Sequence, residues 1–168
     1  KTKKKTFIFG RVEFNQILFQ IPCIYAAKLN GFSVTIILPE ICIWHMILYK
    51  KIGANNFIFY ENFFFRIINK KTISILKRLL KENFKYKIKK QKKIIFSTLL
   101  RKEKKGIIDF KNYNSEILRK IISKSIHIID NLDFLILSKK PDHFIFEDRG
   151  YVPEGLFFEF AVNNKIDV

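Results

Sequence analysis

The sequence predicts an α/β fold: a Rossmann-like, doubly wound, mostly parallel sheet with helices on both faces. Three observations predict it. Short apolar runs alternate with helical stretches from Thr6 to Tyr60. One of those runs, Ser33 to Leu38 (SVTIIL), is rich in β-branched residues and apolar at consecutive positions, as expected of a strand covered on both faces. The last stretch, Pro141 to Val168, reads strand, loop, helix, strand, which is the βαβ unit of a parallel sheet.

Thr6 to Phe9 forms the first strand, ended by Gly10. Asn15 to Leu29 reads as a helix, with Ile17, Leu18, Ile21, Ile24, Tyr25 and Leu29 as its apolar positions. Asn15 is placed to cap its start, and Gly31 supplies a left-handed stop after Asn30. Pro22 should either kink this helix or mark a later start at Ile21. After Ser33–Leu38, Pro39 ends the strand, Ile41 to Ile52 forms a second helix stopped at Gly53, and Asn56 to Tyr60 is a third strand. This is the β-α-β-α-β half of a doubly wound fold.

The middle is less regular. Thr72 to Phe84 is a basic amphipathic helix with Ile73, Leu76, Leu79 and Leu80 inward. Ile94 to Leu100 is either a strand or a helix extension, since periodicity cannot decide over so short a run. Gly106 to Asp109 reads as a turn and a short extended piece. Ser115 opens a long helix with Glu116 in its first turn and Ile117, Leu118, Ile121, Ile122, Ile126 and Ile129 on its buried side. It is expected to reach Ser138, with a break near Asn131. His143 to Phe146 is the fourth strand, Pro153 to Asn163 a helix, and Ile166 to Val168 the opening of a fifth strand. Right-handed crossovers then give the strand order 3-2-1-4-5. A further, carboxyl-terminal domain is expected beyond Val168, because the sequence ends where that strand begins.

A length of 168 residues with 48% apolar content suits one domain with a sizeable core. No uncharged apolar run approaches the roughly 20 residues that cross a bilayer. The longest, Phe14 to Ala27, is interrupted by Asn15, Gln16, Gln20 and Pro22. The basic start, Lys1 to Lys5, is followed by no signal-peptide core. Cys23 and Cys42 are isolated and read as small core residues of a reducing compartment, so a cytoplasmic location is expected, peripheral on the inner face of the membrane if the basic charge binds lipid. The net charge of +17 has two readings. Lys81 to Lys105, the densest basic run, offers a surface for anionic headgroups. Alternatively, the abundance of Ile, Asn, Phe and Lys reflects an AT-rich coding sequence, with lysines on solvated faces. No nucleic-acid motif accompanies the charge, so no specific nucleic acid is expected.

Several sites are excluded. The loop after the first strand, Gly10-Arg11-Val12-Glu13, holds a single glycine, which rules out a dinucleotide fingerprint and a P-loop. His45, His127 and His143 have no second ligand at metal spacing, so no metal site is expected. No serine sits in a nucleophile elbow, and neither cysteine has a partner histidine. What remains is the carboxyl rim of the sheet. Glu13 and Asn15 follow the first strand, and Glu147, Asp148, Arg149 and Tyr151 follow the fourth. A carboxylate there can bind or deprotonate a sugar hydroxyl, with an aromatic covering the apolar ring face. Glu13 and Asp148 are the candidate catalytic bases, and Asn15, Glu147, Arg149 and Tyr151 the candidate substrate-binding residues. Alternatively, Asp148 and Arg149 shape their loop while Glu154 caps the helix after Pro153.

The segment Lys105-Gly106-Ile107-Ile108-Asp109 through Leu118-Arg119, the long helix after it, and KPDHFIFEDRGYVPEGLFFEFAVNNKIDV together resemble the amino-terminal domain of bacterial surface-carbohydrate biosynthesis proteins, which are similar to GT-B glycosyltransferases of capsule and lipopolysaccharide assembly. Tyr151, Gly155 and Ala161 stand in step with that pattern, whereas Asn164-Lys165-Ile166-Asp167 replaces its Gly-Ile-Pro. Ala26 to Glu40 likewise resembles the helix, glycine, strand opening of such chains. The resemblance implies an acceptor-binding half that acts on a carbohydrate or lipid-linked acceptor. It also implies that this domain binds no cofactor itself and that the nucleotide-sugar donor lies on a second domain. It places no established catalytic residue on this chain. Two other classes stay open: a non-catalytic binding module for an anionic ligand, and a basic membrane-surface or nucleic-acid adaptor.

Overall fold

A computed structural model of the chain describes residues 4–61, 88–104, 106, 115–136 and 139–168. The described residues fall into two compact units. The first holds those within Lys1–Asn62, Leu132–Glu147 and Phe160–Val168, and the second those within Phe63–Asn131 and Asp148–Glu159. The elements are β1 (Lys5–Phe9), α1 (Phe14–Leu29), β2 (Ser33–Leu38), α2 (Ile43–Ile52), β3 (Asn56–Phe59), α3 (Ile88–Glu103), α4 (Ser115–Ile136), β4 (His143–Ile145) and α5 (Glu154–Asn163). The expected helix over Thr72–Phe84 lies outside the described residues, as do Lys81–Lys87 of the basic run and Ile107–Asp109 of the expected turn.

In the first unit the four strands pair in the order β3-β2-β1-β4, and every pairing is parallel. Phe7 stands opposite Thr35 and Phe144, and Ile36 opposite Ile8 and Phe57. Because side chains alternate across a strand, this register sorts the apolar residues into two faces. Ile8, Val34, Ile36, Leu38, Phe57, Phe59 and Ile145 share one face with Ile17 and Ile24 of α1 and Tyr49 of α2. Two successive crossovers in the same direction, β1 to β2 and β2 to β3, put both helices on that face. Phe7, Phe9, Ile37, Ile58 and Phe144 lie on the opposite face, also buried. There Phe7 meets Phe144 edge-on at 5.8 Å, and Phe9 lies 5.5 Å from Tyr60. The start of β4 is tied to β1 by a reciprocal pair: Lys5 N–H donates to the Asp142 carboxylate (2.7 Å), and Asp142 N–H donates to the Lys5 carbonyl (2.9 Å).

The α/β, Rossmann-like class and the order 3-2-1-4 agree with the sequence. The expected fifth strand is a single parallel bridge from Asp167 to His143, joined by the Phe144 N–H donating to the Asp167 carbonyl at 2.7 Å. Two other expectations are corrected, and one open choice, that of Pro22, is decided. The first helix begins at Phe14 with Glu13 in the capping position, so Asn15 lies inside its first turn. There the Asn15 side-chain oxygen accepts from the N–H of Gln16 at 2.9 Å. Pro22 lies within this continuous helix and does not mark its start. The long helix runs through Asn131 without a break, and the Asn131 amide donates to the His127 carbonyl one turn earlier (2.7 Å).

In the second unit Ile94–Leu100 belongs to helix α3, which resolves the strand-or-helix ambiguity. Ile95 and Leu99 pack on Ile121 and Ile122 of α4, with Val152 against the same cluster. The Thr98 hydroxyl donates to the Ile94 carbonyl (2.7 Å) and accepts the Val152 N–H (2.8 Å). One buried hydroxyl thereby fastens the loop that follows β4 to the side of α3.

Gly10 ends β1 where the chain passes closest to β2. Its N–H donates to the Ile37 carbonyl at 2.8 Å. A Cβ there would lie 2.5 Å from Ile36 Cγ2, 2.8 Å from Leu38 Cδ2 and 3.1 Å from the Ile37 carbonyl oxygen. Gly10→Ala is expected to destabilise the protein by about 1–3 kcal/mol, the usual cost of overpacking a close-packed core. Urea unfolding should show a lower midpoint at unchanged slope, and an unshifted midpoint would count against this packing.

Candidate functional site

In a doubly wound sheet, ligands bind outside the carboxyl ends of the strands, at the point where the strand order reverses direction. Here the chain builds outward from β1 through β2 to β3 and then returns to place β4 on the other side of β1. The reversal therefore falls between β1 and β4. The loops leaving those two strands are Gly10–Glu13 and Phe146–Glu147.

A hydrogen-bonded polar network occupies this point. The Gln20 side chain is buried in α1, on the same stripe as Ile17 and Ile24. Its amide nitrogen donates to the carbonyl of Phe9, the last residue of β1 (2.8 Å), and to Glu147 Oε1 (2.6 Å). Its amide oxygen accepts from the Tyr49 hydroxyl (2.7 Å) and from the Arg11 N–H (3.3 Å). Turning the amide over would set its oxygen against a carbonyl and a carboxylate, so the partners dictate one orientation. The Tyr49 hydroxyl also accepts the Arg11 N–H at 2.7 Å and lies 3.0 Å from the Arg11 carbonyl. The hydroxyl has one proton, which serves either Gln20 or that carbonyl. Glu147 Oε2 receives the Arg11 Nε at 3.0 Å. The Arg11 side chain is 22% exposed and that of Glu147 42%, so water screens the pair and its net value is about 1 kcal/mol or less.

Burial pushes the Tyr49 phenol up from its ordinary 10.0 to about 12, against the lowering effect of the Arg11 backbone hydrogen bond. The Glu147 carboxylate adds to the rise and the Arg11 charge opposes it. The phenol therefore stays neutral and remains a donor throughout the physiological range.

The six residues singled out from the sequence fall in both units. Glu13 is exposed at the start of α1 and makes no capping hydrogen bond with its side chain. Asn15 is exposed in the first turn, and Glu147 joins the network just described. Asp148, Arg149 and Tyr151 belong to the second unit. Asp148 Oδ1 accepts the Gly150 N–H at 3.0 Å, and its other oxygen lies 3.4 Å from Arg101 of α3. Arg101 also covers the Tyr151 ring at 4.4 Å, and Arg149 lies over Phe158 at 5.2 Å. These contacts of Asp148, Arg149 and Tyr151 all lie within the second unit. Among the described residues no group of His, Cys, Asp and Glu is arranged to hold a metal ion, and no helix is long and apolar enough to cross a membrane.

Sequence reasoning missed Gln20, Tyr49 and Arg11. The sequence holds part of the signal for Gln20: it lies three residues after Ile17 and four before Ile24, a polar residue in line with two apolar ones, although both sides of this helix are apolar. Nothing in the sequence marks Tyr49 as its partner. Comparisons with protein-family models, curated proteins and solved structures match none of them.

Two outcomes test the network. Gln20→Ala removes one donor from the Phe9 carbonyl and one from Glu147, and should lower unfolding free energy by about 1–3 kcal/mol. The Tyr49 contribution should be complete below pH 10 and vanish as the pH rises through about 12, because ionisation costs more in the folded state than in the unfolded chain. A difference titration of phenolate absorbance between wild type and Tyr49→Phe should place this group near 12, and a titration at 10 would contradict the geometry.

Proposed function

We propose that this chain is the acceptor-binding half of a glycosyltransferase-like protein of surface-polysaccharide biosynthesis, working on the cytoplasmic side of the membrane. The observation that carries the reading is the character of the β1/β4 edge. Each of the four strands is followed within a few residues by a glutamate: Glu13 after β1, Glu40 after β2, Glu61 after β3 and Glu147 after β4. The cation on that rim, Arg11, is engaged by Glu147. Such a rim repels phosphates and carboxylates, which disfavours the anionic-ligand module. It suits a polyhydroxylated neutral ligand, whose hydroxyls donate to carboxylates.

In this reading Glu147 is a binding residue held in one rotamer by Gln20 and Arg11. Glu13, on the same loop as Arg11 and exposed, is the general base that takes the proton of the reacting hydroxyl. Asn15, two residues further on in the first turn of α1, contributes an amide to the acceptor. Asp148 of the second unit is the alternative base, with Arg149 and Tyr151 as the binding residues on its own loop. The donor is a nucleotide sugar carried by another domain, so this chain is inactive alone and binds no cofactor of its own.

Calorimetric titration with UDP-, GDP- and CMP-sugars should show no sub-millimolar binding to this chain, and a tight, base-selective signal would overturn the half-enzyme reading. In a protein carrying the donor domain as well, Glu13→Gln or Asp148→Asn should lower turnover about 100-fold, the lower range for lost general-base catalysis. Wild-type turnover in both variants would remove these carboxylates from the chemistry. Loss of the folded protein in Asp148→Asn alone would assign that residue to its loop.

A further inference from the structure

Helix α1 has no polar face. Its buried side is built from Ile17, Gln20 and Ile24, yet the opposite side is also apolar. Phe14, Leu18, Tyr25 and Leu29 recur at helical spacing and are exposed, and Phe19 beside them is 79% exposed. Lys28 is the one charged residue in the whole helix. Helix α2 packs next to α1 on the same sheet face and continues the surface with Ile43, Ile47 and Trp44, the last 79% exposed. An exposed helix face of this composition marks a surface with a partner.

Lysines mark one end of this surface. Lys28 stands in the last turn of α1, and Lys50 and Lys51 in the last turn of α2. The two groups lie close together, since the Lys28 stem crosses the end of α2 within 2.9 Å of where a Gly53 Cβ would be. Lysines at helix carboxyl ends suit the helix dipole. That effect accounts for their position, but not for the apolar side chains beside them. Lys5, Lys139 and Lys140, at the starts of β1 and β4, extend the basic character along the amino edge of the sheet.

We propose that the outer face of α1 and α2 docks on an anionic lipid bilayer. Phe19, Leu18 and Trp44 enter the headgroup boundary, and Lys28, Lys50 and Lys51 meet the lipid phosphates. An apolar face with Trp, Phe and Leu beside lysines is the pattern of a helix lying in the membrane interface. At 16 residues, α1 is too short to span and lies on the surface. A second copy of the chain is the poorer occupant, because each copy carries a net charge of +17 and would bring its own lysine cluster to the contact. This proposal is independent of the glycosyltransferase reading and uses none of the carboxyl-edge residues.

The chain provides its own reporter, since Trp44 is its single tryptophan. With vesicles of equal parts phosphatidylcholine and phosphatidylglycerol, Trp44 emission should shift to the blue and be quenched by brominated acyl chains. Vesicles of phosphatidylcholine alone should produce a far weaker response. Leu18→Ser with Phe19→Ser should abolish vesicle cosedimentation while far-ultraviolet circular dichroism stays unchanged, both side chains being exposed. Replacing Lys28, Lys50 and Lys51 by Gln should weaken binding about fivefold for each lysine, about a hundredfold together. Three results would each overturn the proposal. One is Trp44 emission indifferent to anionic vesicles. Another is full vesicle binding by the Leu18/Phe19 variant, which would mean adsorption through lysines alone. The third is a blue shift that grows with protein concentration in the absence of lipid, which would assign the face to a second copy.

Discussion

The first unit depends on one constraint: the carbonyl of Phe9, at the end of β1, must find a donor inside the core. Gln20 supplies it. A buried amide with unfilled positions would cost on the order of 1–3 kcal/mol per orphaned group, so its remaining positions have to be filled as well. Filling them recruits the Tyr49 hydroxyl from α2, the Arg11 N–H from the first loop and the Glu147 carboxylate from the end of β4. A single side chain thereby joins four parts of the unit, one of them 127 residues away in sequence. The same need explains why a helix with so few polar residues keeps a glutamine on its core stripe.

Placing this network at the reversal point of the sheet has a chemical consequence. Glu147 accepts from Gln20 and Arg11, which orient its carboxylate. Glu13, two residues beyond Arg11, carries no such restraint on its side chain and faces solvent. The edge therefore combines a hydrogen-bonded carboxylate with one that makes no capping hydrogen bond. The second unit uses its polar residues differently. The Asp148 carboxylate turns back on Gly150 and toward Arg101, while the Thr98 hydroxyl holds the Val152 N–H. These bonds shape a loop.

The charge of the first unit is also divided along the strand direction. Glutamates follow the strand ends, and lysines occupy the helix ends and strand starts. Helix dipoles favour the lysines at helix carboxyl ends, since the partial negative charge there attracts them. A net positive charge spread over the whole chain therefore coexists with an acidic rim at the reversal point. Overall charge alone is consequently a poor guide to what the rim binds.

The strands, the helices and their alternation were legible from residues in sequence, because each depends on local pattern: SVTIIL as a strand covered on both sides, Gly31 and Gly53 as left-handed stops with φ of 77° and 131°, Ser115 onward as a long amphipathic helix. The order 3-2-1-4 followed too, since the handedness of crossovers leaves few alternatives. Two readings stayed open for local reasons. Ile94–Leu100 is too short for periodicity to separate strand from helix. Pro22 sits inside a helix that packing sustains despite the missing donor. Glu13 and Glu147 could be placed on the rim from their positions after strands, but their surroundings could not be. Which face of α1 turns inward was equally hidden, because both faces are apolar and hydrophobicity cannot choose between them. That choice was made by the tertiary structure: it puts the Gln20 amide where the end of β1, Tyr49 and Glu147 converge, and leaves Phe14, Leu18, Phe19 and Tyr25 outside. The physical reason is that a buried polar group must be satisfied, and its partners come from parts of the chain that local sequence does not connect.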